Sequence, residues 1–179
     1  MDAEDRATAA LSDRLRERIR RVFGRSLHIR HVDAGSCNGC ELELQALTNP
    51  YYDLHRLGIF FATSPRHADM LLVTGPVTRN MAPPLQVAYD AMPEPKVVVA
   101  AGACACEGGI YRFHSYASAT GLTEFLPVDV YIPGCPPGPL ALLQGIMLAV
   151  DRVEQKVHGR TIDRRGPGLT TQTEEVASG

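Results

Sequence analysis

Five cysteines are spread over this 179-residue chain, and four of them stand in settings suited to metal binding. Cys37 and Cys40 lie in Gly35-Ser36-Cys37-Asn38-Gly39-Cys40-Glu41. Cys104 lies in Gly102-Ala103-Cys104-Ala105-Cys106-Glu107-Gly108-Gly109, and Cys135 in Pro133-Gly134-Cys135-Pro136-Pro137. The small residues around these sulfurs let backbone come close to a bulky group. Four thiolates are the usual ligand set of a 4Fe-4S cluster. Zinc also takes four cysteines, but more often as two local pairs; here one pair meets two single residues. A thioredoxin-like dithiol would use Cys37 and Cys40 and leave Cys104 and Cys135 without a role. Buried core cysteines are common, yet they need not recur in glycine-rich loops. The pattern therefore favours one 4Fe-4S cluster on Cys37, Cys40, Cys104 and Cys135, with zinc as the alternative. Cys106 would point away from Cys104 in an extended segment and is expected not to be a ligand.

The elements that must position these cysteines follow from hydrophobic pattern. Runs at 27–32, 69–74, 96–100 and 128–132 have strand character, with a weaker one at 58–61. The runs from 69, 96 and 128 are largely apolar rather than alternating, as in buried parallel strands. Helical stretches fall between them, at 41–47, 84–92 and from 139 to about 157. In the last, Leu140, Leu143, Met147, Val150 and Val153 make one apolar face. This alternation predicts an α/β fold with a mostly parallel sheet. Each cysteine motif then follows a strand, so all four sulfurs gather at the carboxyl edge, where such sheets place ligands. Cys40 opens one helix and Cys135 precedes another, and the free N–H groups there stabilise negative sulfur.

Residues 2–24 read as an amphipathic helix with Leu11, Leu15, Ile19 and Val22 on one stripe. Arg14, Arg16, Arg18, Arg20 and Arg21 surround that stripe and read as a solvated face, with a docking surface as the alternative. The organisation expected is an N-terminal helix at 1–24, an iron–sulfur domain at 25–158 and a flexible polar tail at 159–179. A net charge of −2 and a pI near 6.3 give no sign of nucleic-acid binding. The odd cysteine count and the charged N-terminus argue for a reducing compartment over a disulfide framework. No stretch approaches the ~20 apolar residues of a membrane span.

Together the motifs resemble the small subunit of membrane-bound NiFe hydrogenases of the formate hydrogenlyase type, in the superfamily of the complex I 20 kDa subunit. The resemblance runs from about Arg25 to Val153. It includes Cys37-Asn38-Gly39-Cys40-Glu41, Ser64-Pro65-Arg66-His67-Ala68-Asp69, Val73-Thr74-Gly75-Pro76-Val77-Thr78 and the stretch from Pro127 to Pro137. It implies a flavodoxin-like parallel sheet with helices on both faces and a 4Fe-4S cluster at the C-terminal edge of the strands. The family's ligands correspond to Cys37, Cys40, Cys104 and Cys135. The complex I 20 kDa subunits resemble this pattern but carry adjacent cysteines in the first motif. Two residues separate Cys37 from Cys40, which is the hydrogenase form. Five cysteines cannot supply three clusters, as the soluble-type small subunits do. The implied role is electron transfer beside a large catalytic subunit and toward a ferredoxin-like polyferredoxin subunit. Membrane subunits would be met only indirectly, and the chain would lie peripherally on the cytoplasmic face of the membrane. A complex-I-like quinone module is the redox alternative, and a zinc-stabilised interaction subunit the non-redox one. Glu41 is expected near the cluster, either capping its helix or handling protons beside the catalytic subunit. Arg66 and His67 stand in a polar stretch that reads as a solvated loop; the resemblance favours a loop facing that subunit.

Overall fold

The two most apolar runs form the middle of a parallel sheet in a computed structural model that describes residues 3–113 and 115–158. Strands β3 (Met70–Thr74) and β4 (Val97–Ala101) are buried at every position. Beside β3 lies β1 (Leu27–Asp33), with β2 (Ile59–Phe61) at the edge; β5 (Val130–Ile132) closes the other edge. All four pairings are parallel and the order is β2-β1-β3-β4-β5. This is the flavodoxin-like doubly wound order, whose switch point lies between β1 and β3. The polar tail expected at 159–179 lies outside the described residues.

The apolar runs arise because helices cover both faces. On one face Leu27, Ile29, Met70, Leu72, Val97 and Val99 pack under α1 (Ala3–Phe23), α2 (Gly39–Ala46) and α5 (Pro139–His158). On the other face Leu71, Val73, Val98 and Ala100 meet Leu85 of α3 (Ala82–Asp90), Ala105 of α4 (Ala103–Glu107), Leu122 and Leu126.

Helix α1 belongs to the first core: Leu11, Leu15 and Ile19 are buried. Its Arg18 donates from Nε to Asp151 Oδ1 at 2.7 Å and reaches Glu154 at 2.6 Å, fastening α1 to α5. Arg14, Arg16, Arg20 and Arg21 are exposed. Helix α5 buries a wider face than its sequence stripe, adding Leu142, Ile146 and Ala149, because it packs against the sheet and α1 together.

One expectation changes. Residues 103–107 are not extended; they form α4, so Cys104 and Cys106 diverge by helical geometry rather than by strand alternation. Arg66 and His67 sit on the exposed turn Pro65–His67, next to which Asp69 bonds its N–H to His28 O at 2.8 Å. That is the amino end of β3, separated from the cysteine edge by the strand's length of about 16 Å. They do not border the cysteines.

Candidate metal centre

Each cysteine-bearing loop leaves the carboxyl end of a strand. After β1, Asp33 Oδ1 accepts the N–H groups of Gly35 at 2.8 Å and Ser36 at 2.7 Å, a side-chain-capped turn that aims Cys37 outward. Asn38 then takes a left-handed conformation, φ 72°, and α2 starts with Cys40 in its first turn. After β4, the peptides of Gly102 and Ala103 donate to Ile132 O at 2.8 Å and Gly134 O at 2.7 Å. Those bonds join the Cys104 segment to the loop that follows β5 and carries Cys135.

The three loops meet. Gly102 adopts φ +92°, and a methyl group there would stand 2.6 Å from Cys40 Sγ and 3.7 Å from Gly134 O. A methyl on Gly39 would lie 3.6 Å from Cys37 Sγ and 3.9 Å from the Pro136 ring. So the pair from β1 rests against both later loops, although Cys37 and Cys135 lie almost a hundred residues apart in sequence.

Electrostatics report the same convergence. Burial pushes the Cys40 thiol up to about 11, and Glu41 and the sulfurs of Cys104, Cys37 and Cys135 add to the rise. Cys104 is raised by burial and then by Cys135 and Cys37. Thiolates crowded in this way repel one another, and positive iron relieves that repulsion. Among the described residues no three His, Cys, Asp or Glu side chains are disposed to hold one metal ion. A single zinc would draw four sulfurs to about 3.8 Å from each other, given Zn–S bonds of about 2.3 Å. The donor chemistry and the Gly102 cradle fit a 4Fe-4S cluster.

Cys106 differs from the other four. Its Sγ lies 3.6 Å from Ala100 O and 3.7 Å from Ile132 O, as a thiol donating to backbone. Burial foremost pushes it up to about 12.

A polar chain supports the first loop. Glu41 is buried and accepts the Ser36 hydroxyl at 2.6 Å and the Thr74 hydroxyl at its other oxygen. Thr74 has one hydroxyl proton, and it goes to Glu41. Its oxygen therefore accepts from His31 Nε2, at 2.9 Å. Burial lowers the His31 pKa, opposed by the Glu41 and Asp33 charges. A cleft of about 420 Å³ beside α2 brings solvent to His31 and Glu41. Sequence reading singled out Glu41 but missed Thr74 and His31. They become neighbours of Glu41 only through the β1–β3 pairing, which the sequence does not give.

Residues 37–149 match the family described as NADH ubiquinone oxidoreductase, 20 Kd subunit. Formate hydrogenlyase subunit 7 of Escherichia coli is 44% identical over 98% of this chain, which spans 65% of that relative's length. The probable membrane-bound hydrogenase subunit mbhJ of Pyrococcus furiosus is 42% identical over 86% of this chain and 93% of its own. A subunit of the NADH-quinone oxidoreductase of Geobacter metallireducens is 49% identical over 77% of this chain and 78% of its own. Among solved structures, a chain of the archaeal membrane-bound sulfane sulfur reductase superposes with TM-score 0.63 at 39% identity, covering 73% of this chain and 72% of that one. A chain of an NAD+-reducing [NiFe]-hydrogenase, at 20% identity and TM-score 0.54 over 83% of this chain and all of that one, shares the fold.

Proposed function

This chain belongs to the NADH ubiquinone oxidoreductase 20 Kd subunit family, and from that premise we propose that it is an electron-transfer subunit holding one 4Fe-4S cluster on Cys37, Cys40, Cys104 and Cys135. Its relatives are subunits of oxidoreductase complexes, several of them membrane-associated. Among its described residues no helix is long and apolar enough to cross a membrane.

The convergence of three cysteine-bearing loops on Gly102 carries this reading. The relatives' names add a second argument. They cover hydrogenases, a quinone oxidoreductase and a sulfane sulfur reductase. One subunit type shared among different catalytic chemistries contributes what those chemistries have in common, which is the movement of electrons. When bound, the cluster accepts and releases one electron at a time. The protein's own work is to hold four thiolates in place, bury them among packed loops and set hydrogen bonds and charges around them. Glu41 and its hydroxyl partners fix the Cys37–Cys40 loop. The partners are a large catalytic subunit and a ferredoxin-like polyferredoxin subunit, with membrane subunits reached through them, on the cytoplasmic face. The two residues between Cys37 and Cys40 favour a hydrogenase-like complex over a quinone-reducing one.

The test is metal analysis and EPR of the purified complex. Changing Cys37, Cys40, Cys104 or Cys135 singly to Ser is expected to remove four irons and four sulfides per complex, leaving the partners' clusters in place. One zinc per complex that disappears in those variants, with iron and sulfide unchanged, would replace this reading with the structural alternative.

A further inference from the structure

We infer that Thr78 is a positioning residue of the cluster site: its γ-methyl, packed on Gly35, holds the segment from which Cys37 projects and so tunes the cluster. This rests on the electron-transfer reading above. Thr78 lies in the loop after β3, which carries no cysteine.

All three residues before Cys37 bear on that loop. Ala34 gives its N–H to Thr74 O at 2.9 Å, and its own carbonyl accepts the Thr78 N–H at 2.9 Å. Gly35 lies against the Thr78 side chain, and a methyl group on Gly35 would overlap Thr78 Cγ2. Ser36 presses on Gly75, where a methyl group would stand 2.6 Å from the Ser36 nitrogen and 2.7 Å from its Cα. Thr78 thus grips the Cys37 segment by backbone and by side chain together.

The loop after β3 is itself braced. Thr78 and Ser118 form an antiparallel bridge, Arg79 N–H donates to Ala117 O at 2.9 Å, and Ala119 N–H donates to Val77 O at 2.9 Å. Gly121, just beyond, lies so close to α4 that a methyl group would stand 2.9 Å from Cys106 O. Helix α4 also carries Cys104. The Cys37 segment and the Cys104 helix are therefore joined through Thr78 and residues 117–121. On the opposite side Gly39 meets Pro136, next to Cys135. The cysteine segments form a closed belt, and close packing passes a displacement at one point on to the next.

Cys37 depends on this brace more than the other ligands do. Cys40 and Cys104 are half-buried, whereas Cys37 and Cys135 are exposed. Pro136 and Pro137 stiffen the chain after Cys135. Asn38 and Gly39 follow Cys37, so its stiffness comes from the residues before it. A ligand left loose lets water reach its thiolate. Water favours the more negative, reduced cluster, and solvent exposure is among the quantities that set a cluster's potential. A gap beside Gly35 should therefore raise the potential.

The experiment uses the purified complex and follows the EPR signal that Cys37→Ser removes, which separates this chain's cluster from those of its partners. Thr78→Ala takes away the γ-methyl, and Thr78→Val keeps it while losing the hydroxyl. In Thr78→Ala the signal should broaden and its midpoint potential rise by about 28 mV or more. That is a threefold change in the ratio of reduced to oxidised cluster, at about 59 mV per tenfold for one electron. Thr78→Val should match the wild type in both respects. Loss of the signal from Thr78→Ala with retention in Thr78→Val would be the same effect in stronger form. A wild-type potential and line shape in Thr78→Ala, or an equal change in both variants, would overturn the inference. A wild-type complex with no signal dependent on Cys37 would instead defeat the electron-transfer reading. The contact is then read without iron: Gly35→Ala should lower the denaturant midpoint, and adding Thr78→Ala should recover part of that loss. No recovery would place the Thr78 methyl away from Gly35.

Discussion

Thr74 and Glu41 stand 33 residues apart in sequence and share a buried hydrogen bond that ties the end of β3 to the first turn of the helix carrying Cys40. The carboxylate takes a second hydroxyl from Ser36, inside the cysteine loop itself. Glu41→Gln keeps the shape but turns one acceptor into a donor facing a hydroxyl. A net loss of about 1–3 kcal/mol is expected for a buried polar group left poorly matched, read as a lower denaturant midpoint. The cluster should persist by EPR. If the carboxylate also moves protons beside the catalytic subunit, turnover of the assembled complex falls. Unchanged turnover with an intact complex would rule that role out.

Gly102 offers a sharper test of the convergence. Gly102→Ala places a methyl group 2.6 Å from Cys40 Sγ and forces a side chain onto φ +92°. The backbone strain alone is of order 1–3 kcal/mol. Iron content should collapse. Gly138→Ala meets nothing within 4 Å and serves as the control. Equal iron in the two variants would mean that Cys40 does not sit on Gly102.

Cys106 should be dispensable for iron. Cys106→Ala removes a thiol that bonds Ala100 O and Ile132 O and leaves the three converging loops untouched. A stability loss of about 1 kcal/mol is the expected cost of its contacts. Loss of the cluster in this variant, with retention in Cys104→Ser, would exchange the roles of the two residues.

Acid should weaken the fold through His31. Its pKa is lowered from 6.5 by burial, so the unfolded chain binds a proton more readily than the folded one. The unfolded state holding more protons means stability rises with pH. The neutral ring's contribution is complete above 6.5 and declines as pH falls from there through the folded value. His31→Gln should flatten the denaturation midpoint against pH in that window. An unchanged slope would assign the acid sensitivity to other groups.

What could be read from the chain divides along physical lines. The strands at Met70 and Val97 were legible because burial on both faces leaves unbroken apolar runs. The placement of Cys37, Cys40, Cys104 and Cys135 at one edge was legible because each follows a strand-like run, alternating before Cys37 and apolar before Cys104 and Cys135, and parallel strands share one carboxyl edge. Helix α4 was not, since five residues between Gly102 and Gly108 carry no period. The strand expected from Val128 begins at Val130 because Asp129 turns its carboxylate to Val98 N–H at 2.9 Å and Lys156 at 2.9 Å. The Glu41–Thr74–His31 chain was illegible because only the β1–β3 pairing makes those residues neighbours. Arg66 and His67 were legible as an exposed turn because they stand in a polar stretch between two apolar runs.

The arginine-rich helix separates folding from docking. Leu15 and Ile19 are 0% and 2% exposed, in one core with Leu27 and Val150. Deleting residues 2–24 therefore uncovers the core, and that variant reports folding rather than attachment. Leu15→Ala should cost about 2–5 kcal/mol, as other buried leucine truncations do. The exposed arginines can be tested without disturbing this packing. Changing Arg14, Arg16, Arg20 and Arg21 together to Gln touches neither the buried stripe nor the Arg18 pairs with Asp151 and Glu154. A solvated face predicts an unchanged melting temperature, unchanged iron and an unchanged membrane-bound share on fractionation of cells. A fall in the membrane-bound share with the fold intact would make those four side chains a docking surface, and the effect should then weaken with rising salt.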